Sequence, residues 1–247
     1  NHLGFMLPYS PLHHLLLQPD NDVPQIWVMT SANLSEEPVA YRDEEALERL
    51  NHVADAFLIH NREIHIRVDD SVGSVFSNEM QPIRRARGYA PCPIRTSADL
   101  PQIFAAGAEL KNTFCLTRDH YAFISHHIGD LENLETFIAY REAVEHYQRL
   151  FRIQPEVIAC DLHPDYLASR FAKQLANEGS LKLVEVQHHH AHLASCLADN
   201  QRWKETAIGL IYDGTGLGND GAIWGGEVLV GNCGKFKRAY HLRYIPL

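Results

Sequence analysis

The 247-residue sequence predicts an α/β protein built in two regions. Three observations carry that expectation. Apolar runs of strand length alternate with segments of helical periodicity, a proline-rich seam separates two patterned regions, and the second region repeats strand and helix in a regular order. A hydrophobic content of 45% is enough for a sizeable core.

In the first region the apolar runs Ile26 to Met29, Ala56 to Ile59 and Ser71 to Phe76 are expected as strands. A helix is expected from Asp43 to Asn51, capped by Asp43 with carboxylates in its first turn. The seam runs from Gly88 to Pro101 and contains Pro91, Pro93 and Pro101. It divides the chain into a domain at 1–94, a linker at 95–101 and a domain at 102–247. The second domain opens with strands at Ile103 to Ala108, Thr113 to Thr117 and Tyr121 to Ser125, whose Lys-Asn and Asp-His turns predict an antiparallel meander. A long helix follows over Leu134 to Phe151, where Phe137, Ile138, Val144, Tyr147, Leu150 and Phe151 recur near helical spacing. Next come a strand at Val157 to Cys160, a helix from about Asp165 through Leu175, a strand at Leu181 to Val186, and a histidine-rich segment running into Leu193 to Leu197. This βββαβαβα order is that of a ribonuclease-H-like half, the unit doubled in actin-like ATPases and sugar kinases. An open sheet of that kind places ligands at the C-terminal ends of its strands. The pattern then restarts with strands at Ala207 to Tyr212 and Ile223 to Val230, the beginning of a second half.

Charge and cysteine usage narrow the function classes. The formal net charge is −9 with no compensating Lys/Arg block, which disfavours nucleic acid and anionic membrane surfaces as partners. The five cysteines are widely spaced and never form Cys-x-x-Cys, fitting a reducing cytoplasm. No apolar run approaches the roughly 18 residues of a spanning helix. A sequence that opens on Asn1 and stops at Leu247, just after Tyr-Ile-Pro, is expected to be an excised piece of a longer protein.

Five segments carry candidate chemistry. In Val186-Gln187-His188-His189-His190-Ala191-His192, four of the sixteen histidines fall together. On a helix His188 and His192 stand at i and i+4, a spacing at which two imidazoles hold one divalent ion. Solvated histidines at a helix start are the bland alternative, and a third ligand must come from a distant segment. From Ile208 to Gly226, an apolar strand runs into Asp213-Gly214-Thr215-Gly216 and four further glycines. Such a stretch lets backbone N–H groups close on phosphate while Asp213 holds Mg²⁺, or it is a plain hairpin turn. Thr30-Ser31-Ala32-Asn33-Leu34-Ser35 offers hydroxyls and an amide to phosphate or base, with turns and caps as the alternative. Arg84, Arg85 and Arg87 offer three guanidiniums to phosphate or carboxylate, or to solvent. Asp69 and Asp70, just before a strand, are placed to orient those arginines or a metal, with a capped turn as the equal alternative.

Taken together, these segments resemble the HypF family of hydrogenase-maturation carbamoyltransferases. Leu7 to Leu17, Met29 to Ser35, Arg67 to Val72 and Ile83 to Tyr89 look like the latter part of that family's YrdC-like domain. Gly107 to Phe114, His127 to Asn133, Cys160 to Tyr166, the histidine run and Asp213 to Gly216 look like the first part of its threonylcarbamoyl-transferase-like domain. The resemblance implies an enzyme that uses ATP, Mg²⁺ and carbamoyl phosphate to form carbamoyl-adenylate. The carbamoyl group then passes to the C-terminal cysteine of the partner HypE, where it becomes the cyanide ligand of nickel–iron hydrogenases. It also implies that Ser31, Asn33, Ser35, Arg84, Arg85, Arg87, Asp213, Gly214, Thr215 and Gly216 meet nucleotide or carbamoyl phosphate. A transition metal, Zn²⁺ or Fe²⁺, is implied at His188 and His192.

Glu36 stands where the family pattern leads one to expect glycine. The family's acylphosphatase-like and zinc-finger domains, the first portion of its YrdC-like domain and its carboxylate metal ligand are expected outside this sequence, so the isolated segment is expected to be inactive. Two alternatives remain: an enzyme of the tRNA threonylcarbamoyl-adenosine pathway, and an inactive segment that docks the partner.

Overall fold

The computed structural model describes residues 3–19, 24–35 and 37–244; Glu36 lies outside them. The chain divides into two units, residues 1–32 and 33–247.

In the first unit, Pro11–Leu16 form helix α1. The Ser10 side chain accepts the His13 N–H at 3.2 Å and proline occupies the first turn, where its missing N–H costs nothing. The apolar run Ile26 to Met29 is not a strand: no second strand pairs with it among the described residues, and Ile26 is 89% exposed. Apolar character does not make a strand without a ladder to complete.

The second unit begins with α2 (Asp43–Leu50). Its N-cap is Arg42, with no side-chain cap bond, so Asp43 lies in the first turn with Glu44 and Glu45, complementing the helix dipole instead of capping it. Residues 56–59 also fail to form the expected strand. β1 (Val72–Phe76) appears as expected and pairs antiparallel with β2 (Glu79–Arg84), which the sequence did not reveal. Ser77 and Asn78, at φ 50° and 63°, form the connecting turn with the left-handed geometry that suits tight hairpins.

The main sheet has the order β3-β5-β4-β6-β7, from β3 (Ile94–Leu100), β4 (Ile103–Ala105), β5 (Cys115–Ile124), β6 (Val157–Asp161) and β7 (Lys182–Val186). The residues expected as a linker therefore lie largely in sheet, with Ile94 and Arg95 opposite Ala122 and Tyr121. The run labelled β5 is a hairpin. Ser125 N–H donates to the Phe114 carbonyl at 2.8 Å, whereas ten residues drawn straight would separate those groups by roughly 33 Å. The chain turns back at Asp119, where φ is 54°, in the Asp-His turn of the expected meander.

α3 (Leu134–Phe151) has its expected bounds, and the Asn133 side chain caps it by accepting the Thr136 N–H at 2.8 Å. α3 and α4 (Leu167–Gly179) close over the sheet around Phe104, Phe114, Leu116, Tyr140, Ile158 and Phe171. α5 (His188–Asp199) starts two residues after β7 ends. The βββαβαβα half is thus present, with β4, β6 and β7 parallel, so Gly107, Asp161 and His188 follow or end neighbouring strands on one sheet edge.

A second, antiparallel sheet has the order β10-β9-β8, from β8 (Ala207–Leu217), β9 (Ile223–Gly231) and β10 (Phe236–His241). α5 packs on it through Leu193 and Leu197 against Ile211, Trp224 and Leu229. Asp213 to Gly216 is not an open glycine loop. It lies within β8, where Tyr212 pairs with Gly226 and Gly216 with Trp224, so residues 213–215 bulge out of the ladder. No described helix is long and apolar enough to cross a membrane.

Candidate metal centre

His188 and His192 share one face of α5, their ring centroids 4.9 Å apart. The β8 bulge carries Asp213 toward them. Its Oδ2 lies 3.0 Å from His188 Nε2 and 3.3 Å from His192 Nε2, while Oδ1 accepts the Gly214 N–H at 2.7 Å. These three residues form the candidate metal-holding group among the described residues, with ligand atoms within 4.8 Å of one another. Ligands about 2.0–2.1 Å from a tetrahedral Zn²⁺ stand roughly 3.3 Å apart, so the spacings match edges of such a site. The third ligand, expected beyond this sequence, has a candidate inside it.

Asp161, at the end of β6, supports this arrangement. It is 8% exposed, and its Oδ2 accepts the His188 Nδ1–H at 2.7 Å while Oδ1 accepts the His163 N–H at 2.8 Å. A neutral His188 then has its lone pair at Nε2, facing the Asp213 carboxylate. Two acceptors 3.0 Å apart require a cation between them, either a proton on the ring or a metal ion. Without a metal the proton fills that role: the hydrogen bond to Asp161, with the charges of Asp161 and Asp213, raises the His188 pKa against the opposing effect of burial.

His189 points away from the cluster and is fully buried, and burial lowers its pKa. His190 reaches the Asn232 carbonyl at 2.8 Å. Beside the ligands opens a cleft of about 400 Å³. Small groups line much of it, including Ala105, Gly107 and Ala159, with Thr113, Ser195 and Asp161 as polar points.

The other candidates are placed differently. Gly214 and Thr215 are exposed in the bulge, whereas Gly216 is buried, with room for no side chain: a Cβ there would lie 2.6 Å from His189 Cε1 and 3.1 Å from His188 Cβ. Arg85 donates to three backbone carbonyls, of Ile124, Tyr89 and Cys92, at 3.0, 3.0 and 2.5 Å. Arg84 pairs with Asp69 at 3.6 Å and Arg87 with Asp70 at 3.3 Å, so the two carboxylates do orient arginines. Ser31 is exposed in the first unit. In the second, Ser35 is exposed and the Asn33 amide donates to the carbonyls of Leu34 and Glu37 at 2.8 and 3.0 Å. Sequence reasoning assigned Asp161 no role. The signals were its place in the Cys160 to Tyr166 segment that carries the resemblance and its position at the end of a strand that proves parallel to its neighbours.

Family models match most of the chain: "Telomere recombination" (Sua5/YciO/YrdC) over residues 1–86, "HypF Kae1-like domain" over 98–199, and "Carbamoyltransferase, Kae1-like Domain, second subdomain" over 209–247. Among curated proteins, the chain is 47% identical to carbamoyltransferase HypF2 of Cupriavidus necator, covering 99% of this chain and 32% of that protein. It is 44% identical to carbamoyltransferase HypF of Rhodobacter capsulatus, covering 99% and 33%. A crystal structure of full-length HypF in a phosphate- and nucleotide-bound form superposes with TM-score 0.90 at 51% identity, covering 98% of this chain and 31% of that one. HypF of T. kodakarensis superposes with TM-score 0.82 at 40% identity, covering 89% and 28%. The chain spans about a third of the length of the curated relatives it matches.

Proposed function

The chain belongs to the HypF family of carbamoyltransferases, and from that premise we propose that the protein carrying it forms carbamoyl-adenylate from carbamoyl phosphate and ATP and transfers the carbamoyl group to the C-terminal cysteine of HypE in the cytoplasm. The observation that carries the reading is the convergence of His188, His192 and Asp213 beside the cleft.

The donor set, two imidazoles and a carboxylate, suits Zn²⁺ or Fe²⁺. Bound there, such an ion acts as a Lewis acid on an acyl or phosphoryl oxygen. The chain's own residues do the rest. Asp161 holds His188 with Nε2 toward Asp213, where the pair would hold the ion, and Asp213 would supply the negative charge. The alanines and Gly107 leave space for a small acyl group near the ligands. In the transfer step the acceptor thiolate attacks the carbamoyl carbon, a C–S bond forms, and the C–O bond to AMP breaks. Thr215, exposed beside Asp213, is assigned to Mg²⁺-bound nucleotide phosphate together with the backbone of Gly214 and Gly216. For the polyanionic substrates of the first domain, Ser31, Asn33 and Ser35 are assigned as neutral donors on chemical grounds, and Arg84 and Arg87, oriented by Asp69 and Asp70, as charged ones.

The test is acceptor choice by the full-length protein. Supplied with ATP and carbamoyl phosphate, it is expected to carbamoylate a HypE-derived peptide ending in cysteine, detected by mass spectrometry. His188→Ala and Asp213→Ala should lose that transfer. Modification of tRNA in place of the peptide would replace the reading.

A further inference from the structure

Gln187, 5% exposed, stands at the junction of β7 and α5, and its amide has three partners. Oε1 accepts the His190 N–H at 2.9 Å, closing the first turn of α5. Nε2 lies 3.1 Å from His189 Nδ1 and 3.2 Å from the Leu217 carbonyl oxygen. The orientation of the amide is forced, because a backbone N–H only donates and a carbonyl only accepts. His189 Nδ1 must then accept the second amide proton.

These partners lie on the two elements that carry the candidate ligands. His188 and His192 belong to α5; Leu217 is the last residue of β8, which carries Asp213. The contact between the elements is close enough that Gly216 leaves no room for a Cβ against the rings of α5. We infer that Gln187 is a positioning residue: its amide brackets α5 to β8 at the separation where the Asp213 carboxylate meets both His188 and His192. This inference rests on the metal reading of those three residues and adds the side chain that sets their geometry.

A variant that keeps the helix cap and removes the bracket provides the test. Serine at this position still caps α5 by accepting the His190 N–H, but is too short to reach Leu217. In the full chain, Gln187→Ser is expected to weaken Zn²⁺ binding about 10–100-fold, read by competition with a chromophoric chelator. It should also alter the visible spectrum of bound Co²⁺ and speed amide exchange at residues 214–217 in metal-free protein, with a near-wild-type thermal midpoint. Gln187→Glu, which keeps length and cap but sets an oxygen against the Leu217 carbonyl, should behave likewise and serves if the serine variant does not fold. Wild-type exchange at 214–217 in these variants would overturn the inference and leave Gln187 as a helix cap only. Wild-type protein without Zn²⁺ affinity would remove the metal reading, and the exchange measurement would still decide whether the bracket exists.

Discussion

Asp161 accepts the Nδ1 proton of His188 at 2.7 Å, and this single bond decides which end of the imidazole faces Asp213. The two residues come from the ends of β6 and the start of α5, 27 positions apart. Asp161→Ala should therefore release the ring and weaken metal binding about 10–100-fold, while Asp161→Asn, which keeps an acceptor without the charge, should lose less. Competition with a chelator measures both. Equal affinity in the alanine variant would show that the ring is oriented by something else.

The two glycines that flank Thr215 should respond oppositely to a methyl group. Gly216→Ala drives a Cβ into His189 and His188, and overpacking of that kind costs about 1–3 kcal/mol. Gly214→Ala meets nothing within 4 Å and should be close to neutral. Chemical denaturation of the two variants makes the comparison, and metal affinity should fall only for Gly216→Ala.

Stability of the metal-free chain should depend on pH in two separate windows. His126 is buried beside Tyr147, and burial pushes its pKa down to about 4. A histidine with a depressed folded value contributes stability that is present above its unfolded pKa of about 6.5 and is lost on acidification toward pH 4, on the order of 3 kcal/mol if fully expressed. His188 behaves with the opposite sign. Its folded pKa is raised, so its contribution is present below about 6.5 and is lost as pH rises through the folded value. Metal replaces that proton, so affinity should increase with pH over the same range. Denaturation midpoints across pH, with His126→Phe and His188→Ala variants, separate the two windows.

Arg85 and Arg84 should separate into a structural and a charge-presenting role. Arg85→Ala removes a donor shared by three carbonyls, at a cost on the order of 1 kcal/mol, and Arg85→Lys should not restore it because an ammonium cannot span the same fork. Arg84→Ala, on a half-exposed pair with Asp69, should leave the melting temperature nearly unchanged. Thermal melts of the three variants check this ordering, and equal melts for Arg84→Ala and Arg85→Ala would contradict it.

Elements whose signal is local were legible in advance. α3 shows its apolar positions within one segment, and the hairpin inside β5 turns at the Asp-His pair that marks it. Strands whose status depends on a partner were not. The runs at 26–29 and 56–59 are apolar yet pair with no strand among the described residues. Glu79 to Arg84 and Ile94 to Leu100 contain proline or polar residues but become strands because β1 and β5 stand beside them. The glycine stretch fits either a phosphate-gripping segment or a plain hairpin turn from sequence alone. Only pairing with β9 shows that residues 213–215 are a bulge in a strand.

By itself the sequence determined the α/β class, the order of the ribonuclease-H-like half, and the i, i+4 placement of His188 and His192, all consequences of spacing along one chain segment. The tertiary structure decided that Asp213 reaches those histidines, that Asp161 aims one of them, and that Gln187 ties their helix to the Asp213 strand. These contacts join residues 21, 27 and 30 positions apart. Such separations leave no periodic trace in the sequence, because they are set by which strands pair and how closely a helix packs against them.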